Sequence, residues 1–308
     1  MATPPGRRRG ILGWLARIAA ALTFGYLGYL TLEGSRRIVS PGRRPFLPEE
    51  GAPATPADIG LAFEDVRFTT DDGVTLSGWL VPAARETRAT VVLMHGFSWH
   101  RLPWLAGFVP WLQRRYNVLQ FDFRGHGSSD DALISLGTLE QRDVAAAVHF
   151  LAGRGLGPIA LMGISMGGSV ALMAAPDLPV AAVVADAAYA DLRDPIANRM
   201  REVGYPLARL GASLVLAAAS LRARVWLRSP LGRVARIAPR GLLLISPGED
   251  RLVSPHQSRR MFEVAGEPKE LFVVPGAAHA EAHLTDPDAY ERRVLEFLAV
   301  HLDGEPPV

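Results

Sequence analysis

No cysteine occurs anywhere in the 308 residues, which excludes disulfides, thiolate catalysis and cysteine-ligated zinc or iron–sulfur sites in one step. Lysine is nearly absent too: Lys269 stands alone, and the rest of the basic side is arginine. The net charge is only +2, and no basic stretch is interleaved with aromatic residues, so the sequence offers no nucleic-acid site. With 49% hydrophobic and 21% charged residues, the chain has the composition of a globular protein with a large core.

What the chain does have, at its start, is an apolar run from Ile11 to Leu32, interrupted only by Arg17 and preceded by Arg7, Arg8 and Arg9. The run is long enough to span a bilayer as a helix. Arg17 lies toward its N-terminal end, where the side-chain stem can snorkel to the interface. Glu33, Gly34, Ser35, Arg36 and Arg37 follow Leu32, without the small-residue pattern of a signal-peptide cleavage site. The expectation is a single-pass membrane anchor at 11–32 behind a basic tail at 1–10, with a cleaved signal peptide as the competing reading. Arginines balance on the two sides of the run, so the positive-inside rule does not choose the side on which the rest of the chain lies.

From 33 to 58 the sequence gathers Pro41, Pro45, Pro48, Pro53 and Pro56 among small and charged residues. Such a stretch neither pairs as a strand nor continues a helix, and it predicts a stiff extended spacer. A single domain is expected from 59 to 302, with a frayed tail at 303–308. Ala62–Thr69 and Val74–Val81 read as strands joined at Asp71-Asp72-Gly73, a hairpin signal. Apolar runs at Thr90–Met94, Asn117–Phe121, Ile159–Met162, Ala181–Ala185, Gly241–Ser246 and Glu270–Val274 then alternate with helical patterns. That alternation implies an α/β fold, a mostly parallel sheet covered by helices on both faces. Ligands in such sheets sit at the carboxyl ends of the strands.

Just after Ile159–Met162 stands Gly163-Ile164-Ser165-Met166-Gly167-Gly168, followed by a helical pattern. This is the strand, G-x-S-x-G, helix arrangement that lifts a serine hydroxyl out of a tight turn. The bland reading is a glycine-rich turn with an incidental serine. A hydroxyl becomes a nucleophile only beside a base, and the base needs an orienting carboxylate. Gly248-Glu249-Asp250 and Gly276-Ala277-Ala278-His279 follow the last two strand runs, giving the chain order serine, acid, histidine. Glu249 competes with Asp250 for the acid position, with Asp250 preferred, and either could instead cap the next helix. His283 competes with His279, which is nearer the strand end. The oxyanion donors expected are the amides of Met166 and of Phe97 in His95-Gly96-Phe97, where His95 is read as a loop support.

With these residues placed, the chain resembles the α/β-hydrolase superfamily over nearly all of 59–302. The segment Phe121-Asp122-Phe123-Arg124-Gly125-His126-Gly127-Ser128-Ser129 looks like that family's turn after its fourth strand. The hairpin start, the His-Gly-Phe loop and the apolar N-terminal run are similar to its membrane-anchored, serine-aminopeptidase-like branch, which includes acyl-protein and lipid esterases. The resemblance implies a serine hydrolase that needs no metal or organic cofactor and takes a small acyl-ester or lipid-like substrate.

Between strand six and strand seven the alternation breaks at about 187–239, as for a helical cap that would set substrate choice. Its uncharged stretch Leu210–Leu221 is too short to cross a bilayer and suits a helix packed over the pocket or lying at an interface, with arginines around it to meet anionic lipid. Two rival functions stand beside the esterase. His279-Ala280-Glu281-Ala282-His283 has two histidines four apart, as in a metal hydrolase, but the glutamate is displaced from H-E-x-x-H and no third ligand is evident. A silent scaffold on the same fold is the other, and a transferase or peptidase would use the same three residues.

Overall fold

The computed structural model describes residues 5–48 and 50–304. The expected frayed tail at 303–308 lies outside them except for Asp303 and Gly304, and the basic tail at 1–10 has no described side chain.

Eight strands form one sheet: β1 (Glu64–Thr69), β2 (Thr75–Val81), β3 (Thr90–Met94), β4 (Asn117–Phe121), β5 (Ile159–Ile164), β6 (Ala182–Asp186), β7 (Gly241–Pro247) and β8 (Lys269–Val274), in spatial order β1-β2-β4-β3-β5-β6-β7-β8. The β1–β2 hairpin enters antiparallel, β2 pairs antiparallel with β4, and from β4 to β8 every pair is parallel. β3 and β4 coincide with the apolar runs that mark them, while β5, β6 and β7 run one or two residues past theirs. The reason is local: Ile164 and Asp186 still pair across β5 and β6 although their neighbours in sequence are turn residues.

Central strands are buried at every position and mostly apolar because both sheet faces are covered, and the alternate side chains divide between two cores. Val92, Met94, Leu119 and Leu161 face α3 (Glu140–Gly153) and α4 (Met166–Ala174). Val91, Leu93, Val118 and Ala160 face α2 (Leu102–Leu112) on the other side. Later helices repeat the division: α8 (Pro255–Val264) joins the first face and α10 (Pro287–Leu298), preceded by the short α9 (Ala282–Thr285), joins the second. The period-two division fixes register, since a one-residue slip would exchange the two cores.

The insertion between β6 and β7 is helical: α5 (Arg193–Glu202), α6 (Ala208–Ala223) and the single-turn α7 (Leu231–Val234). The N-terminal helix α1 (Pro5–Val39) runs beyond Leu32, the expected end of the anchor, and takes in the first residues of the segment expected as a spacer. Ile11–Val39 is long and apolar enough to cross a membrane. Its last turns continue because Leu30, Ser35, Ile38 and Val39 are buried against the domain, and tertiary packing extends a helix that local sequence would have stopped.

The proline-containing segment is also more fastened than a spacer. The Arg43 guanidinium donates to the carbonyls of Gly127 (2.6 Å) and Ser129 (2.5 Å), and Arg44 lies 4.2 Å over the Trp99 ring. Phe46 packs against Trp79 and under the Arg101 guanidinium.

Candidate active site

The turn from β5 into α4 forces Ser165 to φ +56° and ψ −115°, a conformation that costs a non-glycine residue of order 1–3 kcal/mol. Glycines make the turn possible. A methyl on Gly163 would collide with the backbone of Gly167, and one on Gly167 would fall on the carbonyl oxygens of Met94 and His95. The Ser165 amide donates to the Asp186 carbonyl (2.8 Å), so the strained residue is tied to the end of β6.

His279, in the loop after β8, places Nδ1 2.7 Å from Asp250 Oδ2 and Nε2 2.9 Å from Ser165 Oγ. A carboxylate can only accept, so Nδ1 carries the proton and donates to Asp250, which leaves Nε2 to accept from the serine hydroxyl. Asp250 is buried at the carboxyl end of β7. Its other oxygen, Oδ1, accepts from the amides of Leu252 (2.9 Å) and Val253 (2.7 Å), so turn-capping and the histidine contact occupy different oxygens of one carboxylate. Helix α8 is capped instead by Ser254. The structure thus brings Ser165, Asp250 and His279 together, and it does not bring Glu249 or His283 to the serine. Glu249 is exposed in the turn, while His283 Nε2 meets Glu291 Oε1 at 3.1 Å and its ring stacks among Phe108 and Trp111. The two histidines four apart are divided between separate partners, and the described residues contain no cluster of three or more metal-ligating side chains.

The His95-Gly96-Phe97 loop lies against the serine: a methyl on Gly96 would stand 3.6 Å from Ser165 Cβ. Met166 is the first residue of α4, where a helix N–H has no partner within the helix. His95 is committed to the loop itself. Its Nδ1 donates to the Gly96 carbonyl (2.8 Å) and its Nε2 accepts from the Phe123 amide (3.0 Å). Burial holds its pKa well below the usual histidine value, so the ring is neutral. His126 does the same one layer out, accepting from the Ser98 amide (3.2 Å) while donating to the Arg124 carbonyl (2.8 Å). The turn after β4 is therefore a brace for the loop that carries Phe97. Its own shape depends on the buried Asp122–Arg101 ion pair and on Arg124, which bridges Asp143 and Asp72.

A cavity of about 560 Å³ opens at Ser165. Its walls are apolar: Phe97, Trp104, Gly107, Phe108, Ile164 and Leu284, with His279 and Ser165 at the base. None of its lining residues comes from 187–239, so the expected role of the inserted helices as the pocket roof is not what the structure displays. The wall is α2 instead. Trp104 and Phe108, four apart on that helix, share one face, a signal present in the sequence but submerged in a run that is apolar throughout.

Asp186 is the feature that sequence reasoning missed. It ends β6 fully buried, accepts from the Tyr290 hydroxyl through Oδ2 (3.1 Å), and has no partner among the described residues for Oδ1. Burial pushes its carboxyl up to about 7, and the nearby Asp250 charge adds to the rise while Tyr290 and His279 oppose it.

Comparison with known proteins agrees with this architecture. The chain is 28% identical over 259 residues to the uncharacterized protein YfhR of Escherichia coli K12, covering 79% of this chain and 82% of that one. It is 27% identical over 286 residues to the polyketide transferase ATR5 of Stachybotrys chlorohalonatus, covering 76% and 96%. Among solved structures, the Pyrococcus furiosus esterase Pf2001 superposes with a TM-score of 0.69 at 29% identity, over 79% of this chain and 93% of that one. A model of the alpha/beta hydrolase family matches residues 91–293, from β3 to within α10, and so takes in the serine turn, the acid turn and the histidine loop. The chain belongs to the alpha/beta hydrolase family.

Proposed function

We propose that this protein is a membrane-anchored serine hydrolase that cleaves carboxylic ester or thioester bonds through an acyl-enzyme. The observation that carries the reading is His279, held between Ser165 Oγ at 2.9 Å and Asp250 Oδ2 at 2.7 Å beside an apolar cavity. Similarity to an esterase of solved structure supports the reaction class. The exposed apolar length of α1 supports the anchor.

As Ser165 Oγ attacks the acyl carbonyl, His279 Nε2 takes its proton, and Asp250 holds the ring and stabilises the imidazolium. The amides of Phe97 and Met166 receive the developing oxyanion, and removing one such donor costs about 2.7–4 kcal/mol of transition-state stabilisation. The alcohol or thiol leaves with the proton from Nε2. Water, activated by the same nitrogen, attacks the acyl-serine and regenerates the enzyme. Apolar walls from Trp104, Phe108 and Leu284 would receive the acyl chain.

Labelling by a fluorophosphonate tests the reading. An adduct on Ser165, located by mass spectrometry and lost in Ser165→Ala and His279→Ala, is the expected result. A folded wild-type protein that takes no label would overturn it and leave a silent scaffold. Product analysis with an acyl ester, in water and with added alcohols or amines, separates hydrolysis from acyl transfer.

A further inference from the structure

The α1 helix is docked on the inserted helices, and the docking fixes how deep they sit. Three contacts run in step along α1 and the α5–α6 unit. The Tyr26 and Tyr205 rings lie 6.1 Å apart, Gly34 abuts Val215 closely enough that a methyl on it would stand 2.8 Å from Val215 Cγ2, and Arg222 Nε donates to Ser35 Oγ at 2.8 Å. Both numberings rise together, so α1 and α6 are parallel, and the turn that opens α6 points back toward the N-terminal end of α1.

Before that turn, α1 is alone: every residue from Ile11 to Gly25 is exposed. At 1.5 Å per residue this free rod is about 22 Å long. A hydrocarbon core is about 30 Å thick. With Ile11 at one boundary, the core extends about 8 Å past Gly25, to the level of Leu30, and the turn beside Tyr26 lies within it. An independent observation agrees with the arithmetic. That turn exposes Val203 (58%), Tyr205 (38%), Leu207 (58%) and Leu210 (49%), and Leu207 does so at φ +56°, unfavourable for leucine. Near the tip Arg199 pairs with Glu202 and Arg209 with Asp194, which leaves Arg201 as one positive charge in excess, the sign that suits an anionic headgroup layer.

We infer that the α5–α6 turn, Val203 to Leu210, is a second membrane contact, immersed in the same leaflet boundary from which α1 emerges. The inference rests on reading α1 as an anchor. It gives the apolar stretch at Leu210–Leu221 two faces with two tasks. Ala212, Val215 and Ala219 pack inward, and the N-terminal end of the other face meets lipid. It also makes the catalytic domain a body held at two points rather than one swinging on a tether.

The absence of cysteine makes the test clean. Single substitutions Val203→Cys, Leu210→Cys, Leu22→Cys and Glu86→Cys in the full chain are labelled with an environment-sensitive fluorophore and reconstituted in vesicles of equal parts phosphatidylcholine and phosphatidylglycerol. Leu22 reports on the anchor. Glu86, in the loop before β3 at the opposite end of the strands, reports on water. Retained fluorophosphonate labelling of Ser165 certifies that each variant is folded. The expected result is blue-shifted emission, quenched by acyl-brominated lipid, at Leu22, Val203 and Leu210 but not at Glu86. Quenching at Leu22 with Val203 and Leu210 as wet as Glu86 overturns the inference and leaves the anchor standing. Failure of the protein to float with vesicles, with Leu22 unquenched, overturns both.

Discussion

Asp250 offers one oxygen to His279 and the other to its own turn: Oδ2 lies 2.7 Å from Nδ1, while Oδ1 takes the amides of Leu252 and Val253. The turn amides hold the carboxylate in the orientation in which its other oxygen meets Nδ1. In Asp250→Asn the amide oxygen can still serve the turn, but the NH₂ then faces Nδ1 and favours the wrong histidine tautomer. Turnover is expected to fall about ten-thousandfold with folding intact. Glu249→Gln should change it little. Steady-state kinetics on both variants checks the assignment, and the reverse ranking would move the acid to Glu249.

Gly107 lies on α2 facing the cavity, where a methyl would stand 3.9 Å from the His283 ring. Gly107→Leu fills that space, its Cβ meeting only the His283 ring, and improves helix propensity by somewhat less than the ~1 kcal/mol that separates glycine from alanine. Activity toward long acyl esters should drop at least tenfold in kcat/KM, by roughly the 1–3 kcal/mol that a misfitted pocket costs. Short acyl esters should be hydrolysed as before. A parallel loss for every chain length would remove α2 as the acyl wall.

Gly167 is where the serine turn meets the His95-Gly96-Phe97 loop, since its Cα faces the carbonyls of Met94 and His95. Gly167→Ala must push β3 and the Gly96–Phe97 loop away from α4. Overpacking of this kind costs about 1–3 kcal/mol, readable as a lower denaturation midpoint, and turnover should suffer beyond the stability loss because the loop that moves carries Phe97.

Asp186 makes stability depend on pH in an unusual sense. Its carboxyl is raised in the folded state to about 7, above the ordinary aspartate value of 3.8. Between those values the folded chain holds a proton that the unfolded chain has released, so stability contributed by this group falls as pH rises from about 4 to about 7. Asp186→Asn keeps an acceptor for Tyr290 and has no charge to bury. Urea unfolding across that range should show a flatter pH profile for the variant, with its largest gain over wild type at the alkaline end. Parallel profiles would mean that Asp186 is ionised throughout.

Gly34 permits the close approach of α1 to Val215, a buried and stiff side chain. Gly34→Leu should separate the helices, lower the melting temperature of the detergent-solubilised chain, and expose 33–58 to proteases while leaving Ser165 reactive.

The turn at Ser165 was legible because its requirements are local. Gly163, Ser165, Gly167 and the helix that follows sit within one turn, and the steric need for glycine is written at fixed offsets. Strand runs were legible for a similar reason: a strand covered on both faces must be apolar at successive positions. The end of α1 was not, because Ile38 and Val39 are helical through contacts with a domain distant in sequence. Asp186 was hidden as well, being an ordinary polar residue after an apolar run until β5, β7 and Tyr290 close around it.

The sequence by itself determined the parallel α/β order, the serine at its strained turn and the candidate acid and histidine in order behind it, since each depends on residues near in the chain. Only the tertiary structure places Asp250 rather than Glu249, and His279 rather than His283, in line with Ser165, and shows which helix walls the cavity. Those outcomes depend on side-chain direction at strand ends and on distances between segments more than a hundred residues apart, such as Ser165 and His279. Chain order constrains such distances only loosely, and packing sets them.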